Sequence, residues 1–234
     1  MTVTESYSIS PIARIHTDLP SKFGIPRQSG LADRLQGRIV FEKAYRSREA
    51  VRGLEEFSHL WLIWQFSANL QGGWSPTVRP PRLGGNERKG VFATRSPFRP
   101  NALGLSVVQL EKVAVEEPEG PVLYVRGEDL MDGTPIFDIK PYIPYSDSHP
   151  EALGGFTDSR ERKTLQVVLP ETCKGLLPEE KEAALLQVLA QDPRPAYQKD
   201  PDRIYGFPFA GFEVKFQVAD GKVYVRELIG SIER

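Results

Sequence analysis

The sequence has little that could build a disulfide or a metal centre. Cys173 is the single cysteine among 234 residues, so the chain can form neither an intramolecular disulfide nor a cysteine cluster for metal. The three histidines (His16, His59 and His149) lie far apart and form no closely spaced pair of the kind that binds zinc. We therefore expect no metal centre.

Long apolar runs and an excess of one charge are also missing. No apolar run approaches the length of a membrane span, and the first ten residues, MTVTESYSIS, have neither the basic nor the apolar region of a secretory signal. These absences predict a cytoplasmic protein. The net charge of −1 argues against a surface coated with basic residues for nucleic acid, but it leaves room for a local basic patch.

Common nucleotide-binding and hydrolytic motifs are absent as well. No G-x-G-x-x-G run follows a strand pattern and no Walker loop occurs, which argues against nucleotide binding of the Rossmann type. Neither a serine nor a cysteine triad has a local signature, so a hydrolase is disfavoured. Asp129 and Asp132 could act as paired carboxylates, although aspartates that form a turn are the simpler interpretation.

The most informative stretch that is present is residues 90–105, GVFATRSPFRPNALGL. Its alternation predicts a half-buried strand over residues 91–94, followed by a segment that two prolines stiffen. That segment holds Arg95 and Arg99 in a nearly fixed relation, which suits binding of a phosphate, a carboxylate or a nucleobase edge. A solvated turn whose arginines pair with nearby carboxylates explains the same residues.

The region around this stretch is strongly basic in a chain that is nearly neutral. Between residues 79 and 100 the acidic Glu87 stands alone against the basic residues Arg79, Arg82, Arg88, Lys89, Arg95 and Arg99. Trp74, Phe92 and Phe98 lie in or beside this window. Cations next to aromatic rings suit RNA, and they suit a single anionic small molecule equally well.

Short strand patterns separated by turn signals dominate the first part of the chain. They cover residues 12–16, 38–45, 59–66, 103–108, 121–126 and 136–143. The run HLWLIWQF at 59–66 is almost continuously apolar and aromatic, which is typical of a strand buried on both faces. Many short strands with little helix predict a mainly β fold with a β-barrel over residues 1–145. The polar, aperiodic residues 146–163 predict a linker.

Residues 164–234 predict a small α+β domain. A helix over 178–190 begins with a proline and two glutamates in the expected order. Strands over 212–218 and 223–228 flank an Asp-Gly pair, which is a strong hairpin signal. Between helix and hairpin lies a stiff proline segment, QDPRPAY.

Several longer motifs are specific to one family. They are IPRQSG, VRGLEEFSHLW, GGWSPTVRPPRLGGN, GVFATRSPFRPN, DLMDGTPIFDIKPY and LAQDPRPAY, and together they span most of the chain. Through them the chain resembles the TsaA-like, or TrmO, family of non-Rossmann β-barrel tRNA methyltransferases that use S-adenosylmethionine.

The resemblance implies an activity, a cofactor and a partner. A methyl group would pass from S-adenosylmethionine, bound by the barrel near a homodimer interface, to the N6 atom of N6-threonylcarbamoyladenosine. That nucleoside would lie beside the anticodon of threonine tRNA. The second domain would extend the surface that binds tRNA.

The resemblance also implies site residues, carried over motif by motif. The implied cofactor contacts are Pro26, Arg27, Gln28, His59, Leu60, Arg95, Leu105, Glu128, Asp129, Leu130 and Met131. The residues implied on the tRNA side are Arg99, Lys140, Tyr142, Arg194 and Tyr197.

The residues identify no general base. A carbonyl beside N6 makes its proton more acidic than in plain adenine, so we expect a weak base, or orientation alone, to suffice. The alternative is a non-catalytic module that binds RNA or an adenine nucleotide and recruits another enzyme.

Overall fold

The computed structural model describes residues 5–80, 87–158, 163–195, 198 and 200–230. In these ranges the strands are β1 (Ala13–His16), β2 (Gln36–Phe41), β3 (His59–Gln65), β4 (Thr77–Val78), β5 (Lys89–Gly90), β6 (Leu103–Ala114), β7 (Val122–Arg126), β8 (Thr134–Pro141), β9 (Gln166–Val168), β10 (Ile204–Phe209), β11 (Phe212–Ala219) and β12 (Lys222–Gly230). The α-helices are α1 (Pro144–Asp147) and α2 (Glu179–Ala190). Short 3-10 helices include Lys43–Tyr45, Arg48–Val51, Leu54–Glu56, Ser67–Gly72, Val91–Ala93 and Gly155–Thr157. Within the ranges described, no helix is long and apolar enough to span a bilayer.

The N-terminal strands close into an antiparallel barrel in the order β1-β2-β7-β6-β3-β8. The barrel closes because β1 pairs with β2 along one edge and with β8 along the other. Successive side chains of a strand point to opposite faces, so every second residue fills the interior. Ile15, Leu62 and Leu123 are among the fully buried residues of this core. The closed barrel and the C-terminal α+β unit confirm the prediction of a mainly β fold.

Three details of the strand prediction are wrong. The strand predicted at 38–45 ends at Phe41, and Lys43–Tyr45 form a 3-10 helix. Strand β3 is buried on one face only, because Leu60, Leu62 and Trp64 point into the barrel while the residues between them stay half-exposed. Residues 91–94 form no strand: β5 ends at Gly90 and Val91–Ala93 form a 3-10 turn. In this turn Val91 is buried and Phe92 is 73% exposed, which imitates the alternation of a strand.

The C-terminal unit is a four-stranded sheet in the order β10-β11-β12-β9, covered by α2. The predicted hairpin is confirmed, with β11 and β12 paired antiparallel around Asp220, whose φ of +50° suits a tight turn. The predicted helix is also confirmed, and Ala184, Leu185, Val188 and Leu189 form its buried face. Strand β10 had no prediction, and it pairs with β11.

The second core crosses the predicted domain boundary. Leu19, Ala32 and Leu35, all from the loop between β1 and β2, are buried among residues of the C-terminal sheet and α2. Gly24 of the same loop has φ +101°, and a Cβ there would lie 2.4 Å from the ring of Phe207. The loop at residues 17–35 is therefore packed between the barrel and the second sheet. The domain limits at 145 and 163 stay a prediction, and residues 159–162 of the linker lie outside the described ranges.

Candidate functional site

One rim of the barrel carries a cavity of about 550 Å³. The rim is formed where β1, β3 and β7 end and where β6 and β8 begin. The wall consists of the β1–β2 loop at 25–28, the end of β3 with the turn after it, the proline-stiffened loop at 94–99 and the loop after β7. The size is typical of a pocket for a small ligand or cofactor.

An indole forms one wall of the cavity. Trp64 points inward from β3 and crosses Gly104 on β6, where a Cβ would lie 2.3 Å from the indole ring. Only glycine therefore lets the ring lie across the strand. Phe66 packs against the same indole with ring centroids 4.3 Å apart. The result is an aromatic surface that can hold a flat ring or a cation.

A chain of hydrogen bonds leads from this indole to a carboxylate in the cavity. Trp64 Nε1 donates to Ser106 Oγ at 3.0 Å, and Ser106 Oγ donates to Asp129 Oδ1 at 2.6 Å. Ser106 is 2% exposed and faces the barrel interior from β6. The signal that could have revealed Ser106 is a single polar residue, at an inward-pointing position, in the otherwise apolar first half of β6 at residues 103–108.

Asp129 is a carboxyl group of unusual basicity. Burial raises its pKa to about 6, while the hydrogen bond from Ser106, backbone N–H groups and the charge of Arg95 oppose that shift. Asp132, three residues on, lies in the turn that precedes β8, and its Oδ1 accepts from the Thr17 backbone N–H at 3.0 Å.

The arginines of the cavity differ in what they contact. Arg95 donates through Nη1 to the side-chain oxygen of Gln28, and both line the cavity with the exposed Arg27. Arg99 uses Nη1 for the carbonyl oxygens of Val91 at 3.1 Å and Thr94 at 2.7 Å, so its guanidinium holds its own loop together. Arg99 also lies over the Phe92 ring, 5.5 Å from the centroid.

The cavity brings together seven of the implied cofactor contacts. Those that line it are Pro26, Arg27, Gln28, Arg95, Leu105, Asp129 and Met131. Leu60 and Leu130 are fully buried in the barrel core, because the alternation of β3 and the fold of the 128–131 loop turn their side chains inward. Neither reaches the cavity.

Glu128 also lies away from the cavity wall. The residue is 1% exposed, and neither carboxyl oxygen has a hydrogen-bond partner among the residues that the structure describes. Burial raises its pKa to about 8, with the charges of Asp18 and Asp129 acting in the same direction and Lys181 against it. Asp18 pairs with Lys181 of α2, so Glu128 lies near the junction of the barrel with the second domain.

His59 lies at the opposite rim of the barrel. It begins β3, whereas the cavity starts at Trp64 and Gln65, so about 20 Å of strand separates the two ends. Within a single chain His59 therefore shares no cavity with Arg95. Its Nδ1 lies 2.9 Å from Ser58 Oγ, and its ring contacts Tyr142 at a centroid distance of 6.2 Å.

The residues implied on the tRNA side occupy different places. Tyr142 and Lys140 lie near His59 at the opposite rim, where Lys140 Nζ pairs with Asp138 at 2.9 Å. Arg194 lines a second cavity of about 200 Å³ between the β1–β2 loop and the end of α2. There it forms a two-point contact with Asp192 at 2.8 and 2.9 Å. Tyr197 lies outside the described residues.

Metal ligands do not assemble in the part of the chain that the structure describes: no group of three or more His, Cys, Asp or Glu residues is placed to hold an ion.

The fold and the site together define a class of protein. Its members have a closed β-barrel, and one rim of the barrel carries a cavity lined by a carboxylate and arginines. Residues 14–148 match the tRNA-methyltransferase O N-terminal domain, and residues 162–231 match the TrmO C-terminal domain. The chain belongs to the tRNA-methyltransferase O family, a family of methyltransferases.

Relatives and solved structures agree over nearly the whole chain. The tRNA (adenine(37)-N6)-methyltransferase of Escherichia coli is 43% identical over 223 residues, which cover 92% of this chain and 94% of that protein. A Pseudomonas aeruginosa protein described as a candidate S-adenosylmethionine-dependent methyltransferase is 43% identical over 86% of this chain and 88% of its own length. The crystal structure of TrmO from P. aeruginosa superposes with a TM-score of 0.79 at 33% identity, covering 99% of this chain and 100% of that one.

Proposed function

We propose that this protein transfers a methyl group from S-adenosylmethionine to the N6 atom of an adenine next to the anticodon of tRNA. The observation that carries the proposal is the rim cavity itself, in which residues from the IPRQSG, GVFATRSPFRPN and DLMDGTPIFDIKPY motifs lie together. Membership of a methyltransferase family supports the reaction class.

The residues of the cavity fit the cofactor by their chemistry. The faces of Trp64 and Phe66 suit an adenine ring or a sulfonium cation, and Arg27 and Arg95 suit a carboxylate. The cofactor supplies an electrophilic methyl group when it is bound. The protein then has to align that carbon with the acceptor nitrogen, and alignment alone can contribute on the order of 7–11 kcal/mol.

For the acceptor we propose N6-threonylcarbamoyladenosine in threonine tRNA. The basis is the family resemblance together with the acidity of an N6 proton beside a carbonyl, which suits a site with one weak base. The name of the E. coli relative supports adenine 37 as the position.

A basic and aromatic surface beside the cavity supports tRNA binding. Arg79 is exposed, as are the rings of Trp74 and Phe92, which are 58% and 73% exposed. Such rings can stack on bases that leave an RNA loop, while basic side chains contact phosphates. Arg99, Lys140, Tyr142, Arg194 and Tyr197 remain proposals as tRNA contacts.

We further propose that the protein acts as a cytoplasmic homodimer. Leu105 lines the cavity and is 52% exposed, so apolar surface is available at the mouth. A second copy would also explain how His59 could belong to the same cofactor site as Arg95, because the two lie at opposite rims of one barrel.

The test is nucleoside mass spectrometry of threonine tRNA incubated with the protein and S-adenosylmethionine. We expect one additional methyl group on N6-threonylcarbamoyladenosine, with none when Arg95→Ala replaces the wild type. The same assay on tRNA that lacks the threonylcarbamoyl group tests the acceptor separately. A protein that binds tRNA in a filter assay and transfers no methyl group from any preparation would be the non-catalytic module.

A further inference from the structure

The direction of the Trp64–Ser106–Asp129 chain is determined by chemistry. An indole nitrogen can only donate, so the hydroxyl oxygen of Ser106 must accept from Trp64. The single hydroxyl proton of Ser106 is then directed to Asp129 Oδ1 at 2.6 Å. Oδ1 therefore accepts from Ser106, and the backbone N–H groups of Ser29 and Asp129 also bond to this carboxyl and lower its pKa.

We propose that Asp129 is the proton acceptor of the methyl-transfer reaction and that Ser106 and Trp64 are positioning residues that orient its carboxylate. The inference rests on the proposed function and deepens it by assigning the base. Three observations carry it. Asp129 lines the cavity, its Oδ1 already accepts a hydrogen bond from Ser106, and the Ser106 side chain that donates this bond is buried.

The proton needs an acceptor because methylation leaves the nitrogen with one bond too many. As the nitrogen–carbon bond forms, the carbon–sulfur bond breaks with its electron pair going to sulfur, and the N6–H bond must give up its proton. The carboxylate of Asp129 takes that proton, which leaves a neutral methylated base and a neutral carboxylic acid. The acid returns its proton to water once the cavity opens to solvent.

The charges around Asp129 allow its carboxylate to take up and release a proton near neutral pH. Arg95 faces it from the 94–99 loop, and Glu128 is its neighbour in the chain. Arg27, Lys22 and Arg99 line the same cavity. Burial favours the protonated form, whereas Arg95 and the Ser106 hydroxyl favour the carboxylate. The opposing effects give a group that is ionised at neutral pH and yet basic enough to accept a proton.

The test compares Asp129→Asn, Ser106→Ala and the control Asp132→Asn in the full-length protein. Asp132 lies on the same loop but bonds to Thr17 and His16, away from the cavity wall. For each variant, calorimetry measures the affinity for S-adenosylmethionine, and single-turnover kinetics with tRNA measures the methyl-transfer rate from pH 5 to 9. Carbon-13 NMR of the aspartate carboxyls follows the titration of Asp129 without any reaction.

We expect Asp129→Asn to lower the rate by about 10²–10⁴-fold while cofactor affinity stays within about threefold. Ser106→Ala removes a bond that stabilises the carboxylate, so the acidic limb of the rate profile and the NMR titration should both move upward by about one pH unit. Asp132→Asn should leave the rate and the profile unchanged.

Parallel loss of cofactor affinity and rate in Asp129→Asn would make Asp129 a cofactor ligand and overturn the inference. An unshifted profile in Ser106→Ala would overturn the positioning role. A wild type that methylates no tRNA would refute the proposed function itself, and the inference would fail with it.

Discussion

Trp64 and Gly104 are paired across β3 and β6 so closely that a Cβ on Gly104 would lie 2.3 Å from the indole. From this position the indole donates to Ser106, and the same ring forms a wall of the cavity. One missing side chain therefore allows both the shape of the site and the orientation of its carboxylate.

Gly104→Ala should therefore destabilise the barrel and weaken the site together. Overpacking of this kind costs about 1–3 kcal/mol, and the displaced indole should also weaken binding of S-adenosylmethionine. Urea unfolding and calorimetry measure the two effects. The matched control is Gly90→Ala, because no atom of the described residues lies within 4 Å of its added Cβ and its φ of −57° suits alanine. Equal effects of the two substitutions would contradict the role given to Gly104.

Glu128 should make stability fall as pH rises. Its pKa is about 8 in the folded protein against an ordinary 4.5, so between these values the folded state holds a proton that the unfolded state has lost. At about 1.4 kcal/mol per pKa unit, the loss from pH 5 to pH 8 is roughly 4 kcal/mol. Asp129, with a pKa of about 6, adds to the loss at the lower end of that range.

The check is the free energy of unfolding at pH 5, 6, 7 and 8 for the wild type and Glu128→Gln. Glutamine cannot ionise, so the slope should become shallower and the variant should be the more stable protein at pH 8. Parallel curves for the two proteins would show that Glu128 titrates normally.

Active-site sharing between two copies should be visible by complementation. His59→Ala and Arg95→Ala should each be nearly inactive as pure proteins if each site takes His59 from one chain and Arg95 from the other. In mixed dimers one of the two sites is then intact, so random mixing should restore about a quarter of wild-type activity. The mixture is prepared by co-expression, and sedimentation confirms its dimers.

Two outcomes would contradict the shared site. A mixture as inactive as its components would place both residues in the same chain's site. Full activity of His59→Ala alone would remove His59 from the cofactor site altogether.

The β1–β2 loop should couple the barrel to the second domain. Leu35 precedes β2 but is buried in the C-terminal core, which also holds Cys173 with 3% exposure. Leu35→Ala should cost about 2–5 kcal/mol and speed the reaction of the Cys173 thiol with a labelling reagent. Leu123→Ala, in the barrel core, is the matched control. Faster labelling in the control than in Leu35→Ala would mean that the loop does not stabilise the second core.

Local patterns that depend on neighbouring residues were predictable. The β11–β12 hairpin follows from an Asp-Gly turn between alternating strands, and α2 follows from a proline and acids ahead of an apolar face. The strand predicted at 91–94 failed because one 3-10 turn also buries one residue and exposes the next. Strand β3 was predicted correctly as a strand, but its predicted burial on both faces was wrong, because a nearly continuous apolar run does not reveal which of its faces meets the core.

The amino-acid sequence by itself determined the fold class, the absence of a disulfide and the motifs that bring Arg95, Gln28 and Asp129 into one family pattern. Each of these depends on residue identity and short-range spacing. Only the tertiary structure decided that Ser106 links Trp64 to Asp129, that His59 lies at the other rim, and that Leu35 belongs to the second core. These relations join residues far apart in the chain, and barrel closure and register, which no local pattern encodes, bring them together or apart.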